Sequence, residues 1–244
     1  MRRHSLILVA AALAVVVLGA TGTVMAQGNS QGGEEAASAR PADYRSKNFL
    51  LHTDLPPEQA QELLARLETM LGLISKYWAR PNRKTIAVYT IQALRHWPRG
   101  SPDPTGVESV ASGGGVTISR TLKVGNSLHA QSVSYAVADR GTALHEAVHA
   151  YCAQTFGTTG PVWYSEGMAE MGHYWRADDS SVQCEPQVVR YLRDTEIKSL
   201  NEIVNGTSWT GDSWQSYTWR WALCHLLANN TNYRDRFRPL GLGL

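Results

Sequence analysis

The chain has 244 residues, 43% hydrophobic and 18% charged, which is enough length and apolar content for one domain of moderate size with a real core. Its formal charge of +2 comes from Arg2 and Arg3 near the N-terminus; the remainder sets 21 basic against 21 acidic side chains. A neutral body gives no electrostatic reason to expect nucleic acid or an anionic membrane surface as a partner.

The first segment reads as an export signal. Met1-Arg2-Arg3-His4 is a positive start, Leu6 to Ala20 is an apolar run, and Val24-Met25-Ala26 is a small-residue cleavage site. We expect residues 1–26 to be a signal peptide and the mature protein to be secreted or periplasmic, with no stable membrane insertion after cleavage. The alternative is an uncleaved anchor, since the run extended to Ala26 is just long enough to span a bilayer. Export permits disulfides, and the cysteines are Cys152, Cys184 and Cys224. An odd count leaves at least one thiol free or intermolecular. Cys184 with Cys224 is one pairing the sequence allows, whereas Cys152 reads as buried packing.

Residues 27–43 are mostly Gly, Ser, Ala, Gln and Glu without hydrophobic period, so a disordered linker is expected there and a folded domain over 44–240. Asn48 to Thr53 predicts a first strand. Pro56-Pro57-Glu58 opens a helix, where proline's missing N–H costs nothing. Leu63, Leu64, Leu67, Met70, Leu71 and Ile74 continue it at helical spacing to Trp78. Thr85 to Thr90 is β-branched and predicts a second strand. Prolines 98, 102 and 104 with Gly100 and Gly106 predict a surface loop over 98–106. Gly113-Gly-Gly115 followed by Val116-Thr-Ile-Ser119 suggests a hairpin or edge strand. A helix is expected from Asp139, as N-cap, to Phe156, with Gly157 as its stop. A second helix follows the Gly160-Pro161 turn. Residues 187–204 look helical but polar, and a last amphipathic helix spans Ser216 to Leu227.

The chemistry concentrates in His145-Glu-Ala-Val-His149 and, seventeen positions on, Glu166. At about 3.6 residues per turn, His145 and His149 project from one helix face as two nitrogen ligands for a single cation. Catalytic zinc takes three protein ligands and keeps a fourth position open. A carboxylate from the next helix is a natural third, and Glu166 is the candidate. Glu170, one turn later, is placed to accept the other ring N–H of a ligand histidine and so fix its tautomer. Glu146, beside the two histidines, reads as the general base that later delivers its proton to the leaving amine. His173 reads as a surface or packing residue. Cys152 and Thr155 stand where the longer HExxHxxGxxH pattern needs Gly and His, which excludes that arrangement.

At these residues the chain resembles the gluzincins, zinc metallopeptidases of the peptidase MA clan. Trp163-Tyr-Ser-Glu-Gly-Met-Ala-Glu170 looks like their W-x-x-E-G-x-A-E signature, whose first Glu binds zinc; carried over, that makes Glu166 the ligand. The spacing from His149 to Glu166 is shorter than in the aminopeptidase branch, and no Gly-x-Met-Glu-Asn segment is present, so attack on a free N-terminus is not implied. The wider pattern looks more like an uncharacterised bacterial family of secreted gluzincin-like domains. It covers roughly residues 47–238, sharing Phe49-Leu-Leu-His-Thr-Asp54, the Leu-rich helix after it, the HExxH helix and the helix carrying Tyr217-Thr-Trp-Arg-Trp-Ala-Leu223. The resemblance implies an α+β, zincin-like metallopeptidase domain with a small mixed sheet and a two-helix HExxH/Glu active site. It also implies that Tyr217 donates to the oxyanion and that an extended peptide lies along an edge strand, for which Val116–Ser119 is the candidate. The expected activity is zinc-dependent hydrolysis of a peptide or protein substrate. The alternative is an inactive zincin-fold module that binds a peptide or the cell envelope.

Overall fold

The computed structural model of the protein describes residues 40–124, 127–139, 141–157, 160–174, 184, 186–206 and 213–243. In chain order the elements are β1 (Ala42–Arg45), β2 (Phe49–Thr53), α1 (Pro57–Trp78), β3 (Ile86–Ile91), α2 (Pro104–Ala111), β4 (Gly115–Val124) and β5 (Ser127–Val137). They continue with α3 (Thr142–Phe156), α4 (Val162–His173), α5 (Pro186–Asp194), α6 (Leu200–Asn205), α7 (Ser213–Asn229) and α8 (Arg234–Gly243). The fold is α+β. Its five strands form one mixed sheet in the order β1-β2-β3-β5-β4. β2, β3 and β5 run parallel, while β1 and β4 are antiparallel additions at the two edges.

The main core lies between one sheet face and the helices α1 and α3. Strand alternation turns Phe49, Leu51, Ile86 and Val88 inward. The helical stripe of α1 meets them with Leu63, Leu67, Met70, Leu71 and Ile74. Almost every residue of α3 from Ala143 to Ala153 is buried, because the sheet covers one side and α1 and α4 cover others. A helix enclosed in this way is apolar all round, apart from what it is built to present. On the opposite sheet face a smaller cluster of Ile91, Val110, Val116 and Tyr135 sits beneath α2.

α4 is pressed against its neighbours through two glycines. A Cβ at Gly172 would lie 2.7 Å from Val148 of α3, and one at Gly167 would lie 2.6 Å from the Arg220 carbonyl of α7. A further tie runs from Trp78 Nε1 of α1, which donates to the Tyr164 hydroxyl at 3.0 Å.

Several elements differ from the sequence expectation. β1 includes Ala42 and Asp43, which composition assigned to the linker, and α8 reaches Gly243, past the expected limit at 240. Residues 1–39, with the whole of the expected signal peptide and most of the expected linker, lie outside the described residues. Pro104 opens α2 instead of closing a loop: the Asp103 carboxylate accepts from Thr105 N at 2.9 Å, and proline occupies the first turn. Asp139 does hold the entry to α3, accepting from Gly141 N at 2.8 Å and Thr142 N at 2.6 Å, but the helix starts three residues later than expected. The polar stretch 187–204 is two helices, since Ser199 and Glu202 form a capping box that starts α6 afresh. No disulfide joins Cys184 to Cys224. No helix among the described residues is long and apolar enough to cross a membrane.

Asp54, fully buried at the end of β2, shows how tightly the sheet end is tied. Its carboxylate accepts from Gln92 N at 2.7 Å and Ala93 N at 2.9 Å, and contacts His96 Nδ1 at 2.7 Å. Asp54→Ala would leave two backbone donors and an imidazole without an acceptor. We expect it to cost about 2–4 kcal/mol, measured as a lower urea midpoint; an unchanged midpoint would contradict this role.

Candidate metal centre

α3 and α4 bring three lone-pair atoms to one point. Nε2 of His145 and Nε2 of His149 are 3.1 Å apart, and Oε2 of Glu166 lies 3.3 Å from the first and 3.4 Å from the second. The close approach at Gly172 makes this convergence sterically feasible. Glu166 Oε2 is buried and accepts no aligned hydrogen bond. A tetrahedral ion with bonds of 2.0–2.1 Å needs ligand atoms about 3.3–3.4 Å apart, and this triangle has that size. Together, the three side chains form a group able to hold a metal ion.

The outward ring nitrogens have partners too. His145 Nδ1 lies 2.9 Å from Glu170 Oε1, and His149 Nδ1 lies 3.2 Å from Ser165 Oγ. With Nδ1 protonated toward these oxygens, both Nε2 atoms turn lone pairs to the common centre. Glu170 therefore stands where the motif placed it. Ser165 was not anticipated, although it lies inside the same motif. His173 is nearer to the centre than expected: its ring packs over Gly141 at the start of α3, and its Nδ1 is 3.9 Å from Glu170 Oε2. His145, Glu170 and His173 make a second group of metal-binding type, which shares His145 through the opposite ring nitrogen.

Glu146, Glu166 and Glu170 each retain no more than 4% of their exposure. No Lys or Arg among the described residues forms an ion pair with any of them. Burial opposes ionisation of Glu166, yet His149 and His145 overcome it and hold the carboxyl well below its usual range. Burial likewise opposes charge on His145, and Glu166 and Glu170 outweigh it, so that its pKa rises. Glu146 goes the other way: burial raises it, and His145, His149 and Thr117 only partly offset this. It is thus the most basic of the three carboxylates.

Two β4 residues that motif reading missed enclose Glu146. Thr117 Oγ1 donates to Glu146 Oε2 at 2.7 Å, and a Cβ at Gly115 would fall 2.8 Å from Glu146 Cγ. Only strand register places Thr117 there, 29 residues from Glu146 in the chain. Tyr217 reaches the centre from α7, its ring centroid 5.9 Å from that of His145. Burial, with Glu166 and Glu146 nearby, pushes its hydroxyl pKa up, so it stays a proton donor. One turn on, buried Arg220 donates to the Gly206 carbonyl at 3.0 Å.

No protein-family model matches the chain, and no curated protein matches it at a meaningful level.

We expect the protein to bind one divalent cation per chain at His145, His149 and Glu166, with zinc as the probe. At a hundredfold excess over Kd the native state gains about 2.7 kcal/mol, visible as a higher melting temperature that a chelator reverses. His149→Ala and Glu166→Ala should remove the gain. A wild-type melting temperature indifferent to zinc and chelator would refute the assignment.

Proposed function

We propose that this chain is an exported zinc-dependent peptidase of zincin type, related in its site to the gluzincins. The observation that carries the reading is the placement of a buried, relatively basic carboxylate, Glu146, next to a three-atom cluster of zinc-ligand spacing. Binding a cation alone calls for the cluster; it does not call for a fourth acidic group held beside it. Two imidazoles and one carboxylate suit zinc among the common divalent ions.

His145, His149 and Glu166 would hold the ion, which when bound supplies Lewis acidity toward a substrate carbonyl and toward water. Glu146 takes the proton of the attacking water and returns it to the departing amine. Tyr217, kept protonated, donates to the oxygen that gains charge as the carbonyl becomes tetrahedral. Glu170 and Ser165 keep the ligand histidines in the required tautomers. β4 is an edge strand of the sheet and touches Glu146 directly, so an extended peptide added to its free edge would run alongside the catalytic groups. That geometry favours a peptide chain over a compact small molecule as substrate.

Glu146→Gln should retain zinc and lose hydrolysis of a peptide library by about 10²–10⁴-fold, the contribution of general acid–base catalysis. Tyr217→Phe should lower kcat by about 10²–10³-fold with metal content unchanged. A wild-type protein that holds zinc yet cleaves nothing in the library would favour the binding module, and an active Glu146→Gln variant would remove Glu146 from its role.

A further inference from the structure

Gly115 and Thr117 are two apart on β4 and therefore face the same way, which here is toward Glu146 of α3. At Gly115 there is no room for a side chain: an added Cβ would lie 2.8 Å from Glu146 Cγ, 2.9 Å from Oε1 and 2.7 Å from Thr142 Cγ2. At Thr117 the strand instead supplies a hydroxyl. Its Oγ1 is 2.7 Å from Glu146 Oε2, 2.9 Å from the Glu146 carbonyl oxygen and 2.9 Å from Ser134 Oγ. Ser134, directly opposite Thr117 in the β4–β5 register, is also 3.1 Å from the Glu146 carbonyl.

A threonine hydroxyl has one proton to give. The shortest contact is with the carboxylate, and a charged acceptor makes the stronger bond, so the proton goes to Oε2. Ser134 Oγ, 2.9 Å from Thr117 Oγ1, braces the threonine hydroxyl from the opposite strand and also reaches the Glu146 carbonyl, to which it can donate at 3.1 Å. The donor to the carboxylate itself is Thr117. We propose that Thr117, backed by Ser134, is the positioning residue for Glu146, holding Oε2 so that Oε1 is the oxygen that handles the reacting proton. This inference rests on the peptidase reading above.

The choice of a neutral hydroxyl is chemically apt. A lysine or arginine at this position would pair with the carboxylate and strip its basicity, whereas one hydroxyl hydrogen bond orients it at smaller cost. The grip also comes from the strand, not from the helix that carries Glu146. The base is thereby located relative to β4, the same element along which a peptide substrate would lie.

Thr117→Val keeps shape and β-branching and deletes the donor. In the zinc-loaded protein kcat should fall by about 10–100-fold, the scale of a small misplacement of a catalytic group, while KM and metal content stay at wild-type values. Thr117→Ser, which restores the hydroxyl, should recover most of kcat, and Ser134→Ala should give a smaller loss in the same direction. Crystals of Thr117→Val should show the Glu146 carboxylate in a new or split rotamer. Wild-type kcat in Thr117→Val, a loss that Thr117→Ser fails to recover, or an unmoved Glu146 in those crystals would each overturn the proposal. If the wild type cleaves no peptide, the peptidase reading falls on that result alone, and the Glu146 rotamer in the crystals decides whether Thr117 positions it.

Discussion

The closeness of α3 and α4 is the constraint on which the site depends. Their side chains meet with atoms 3.1–3.4 Å apart, which requires the two backbones to approach nearer than ordinary side chains allow. Gly172 permits this on the α3 side, because any larger residue would strike Val148. Gly167 does the same toward α7 and thereby brings Tyr217 within reach of His145. The motif around Glu166 is therefore a packing motif as much as a chemical one: its acidic residues face the centre, and its glycines let the neighbouring helices close around it. α3 itself cannot shift to relieve the crowding, since the sheet and α1 bury its remaining sides.

Concentrating three carboxylates in a dry interior is expensive unless something positive balances them. Here the balance within the described residues comes from buried His145 and partly buried His149 and, at longer range, from Arg220. Each carboxylate then has a distinct neighbourhood. Glu166 meets two ring nitrogens and stays ionised; Glu170 meets His145 and His173 and also stays low. Glu146 receives one hydroxyl and is left comparatively basic. Burial and partners in this way give three chemically identical groups different proton affinities.

Much of this was legible in the chain, and the reasons are local. The stripe of α1, the alternation of β3 and the His145–His149 spacing are periodic signals carried within a single element, so periodicity alone locates them. Glu170 and Tyr217 were legible only through motif and order. β5 was not, because Ser132, Val133, Ser134, Tyr135 and Ala136 mix small, polar and aromatic residues in a way that sheet burial, not composition, rationalises. α8 carries Pro239 within it and follows the last helix that the sequence predicts. Ser165 sat unremarked between two conspicuous residues. Thr117 and Ser134 lay beyond any local reading, since their meeting with Glu146 exists only once β4, β5 and α3 are assembled.

The account is tested most directly by anomalous diffraction at the zinc absorption edge from crystals of the protein grown with zinc. It predicts one dominant peak, about 2.0–2.1 Å from Nε2 of His145, Nε2 of His149 and a carboxylate oxygen of Glu166. No peak at that centre, or a peak only at another set of side chains, would contradict it.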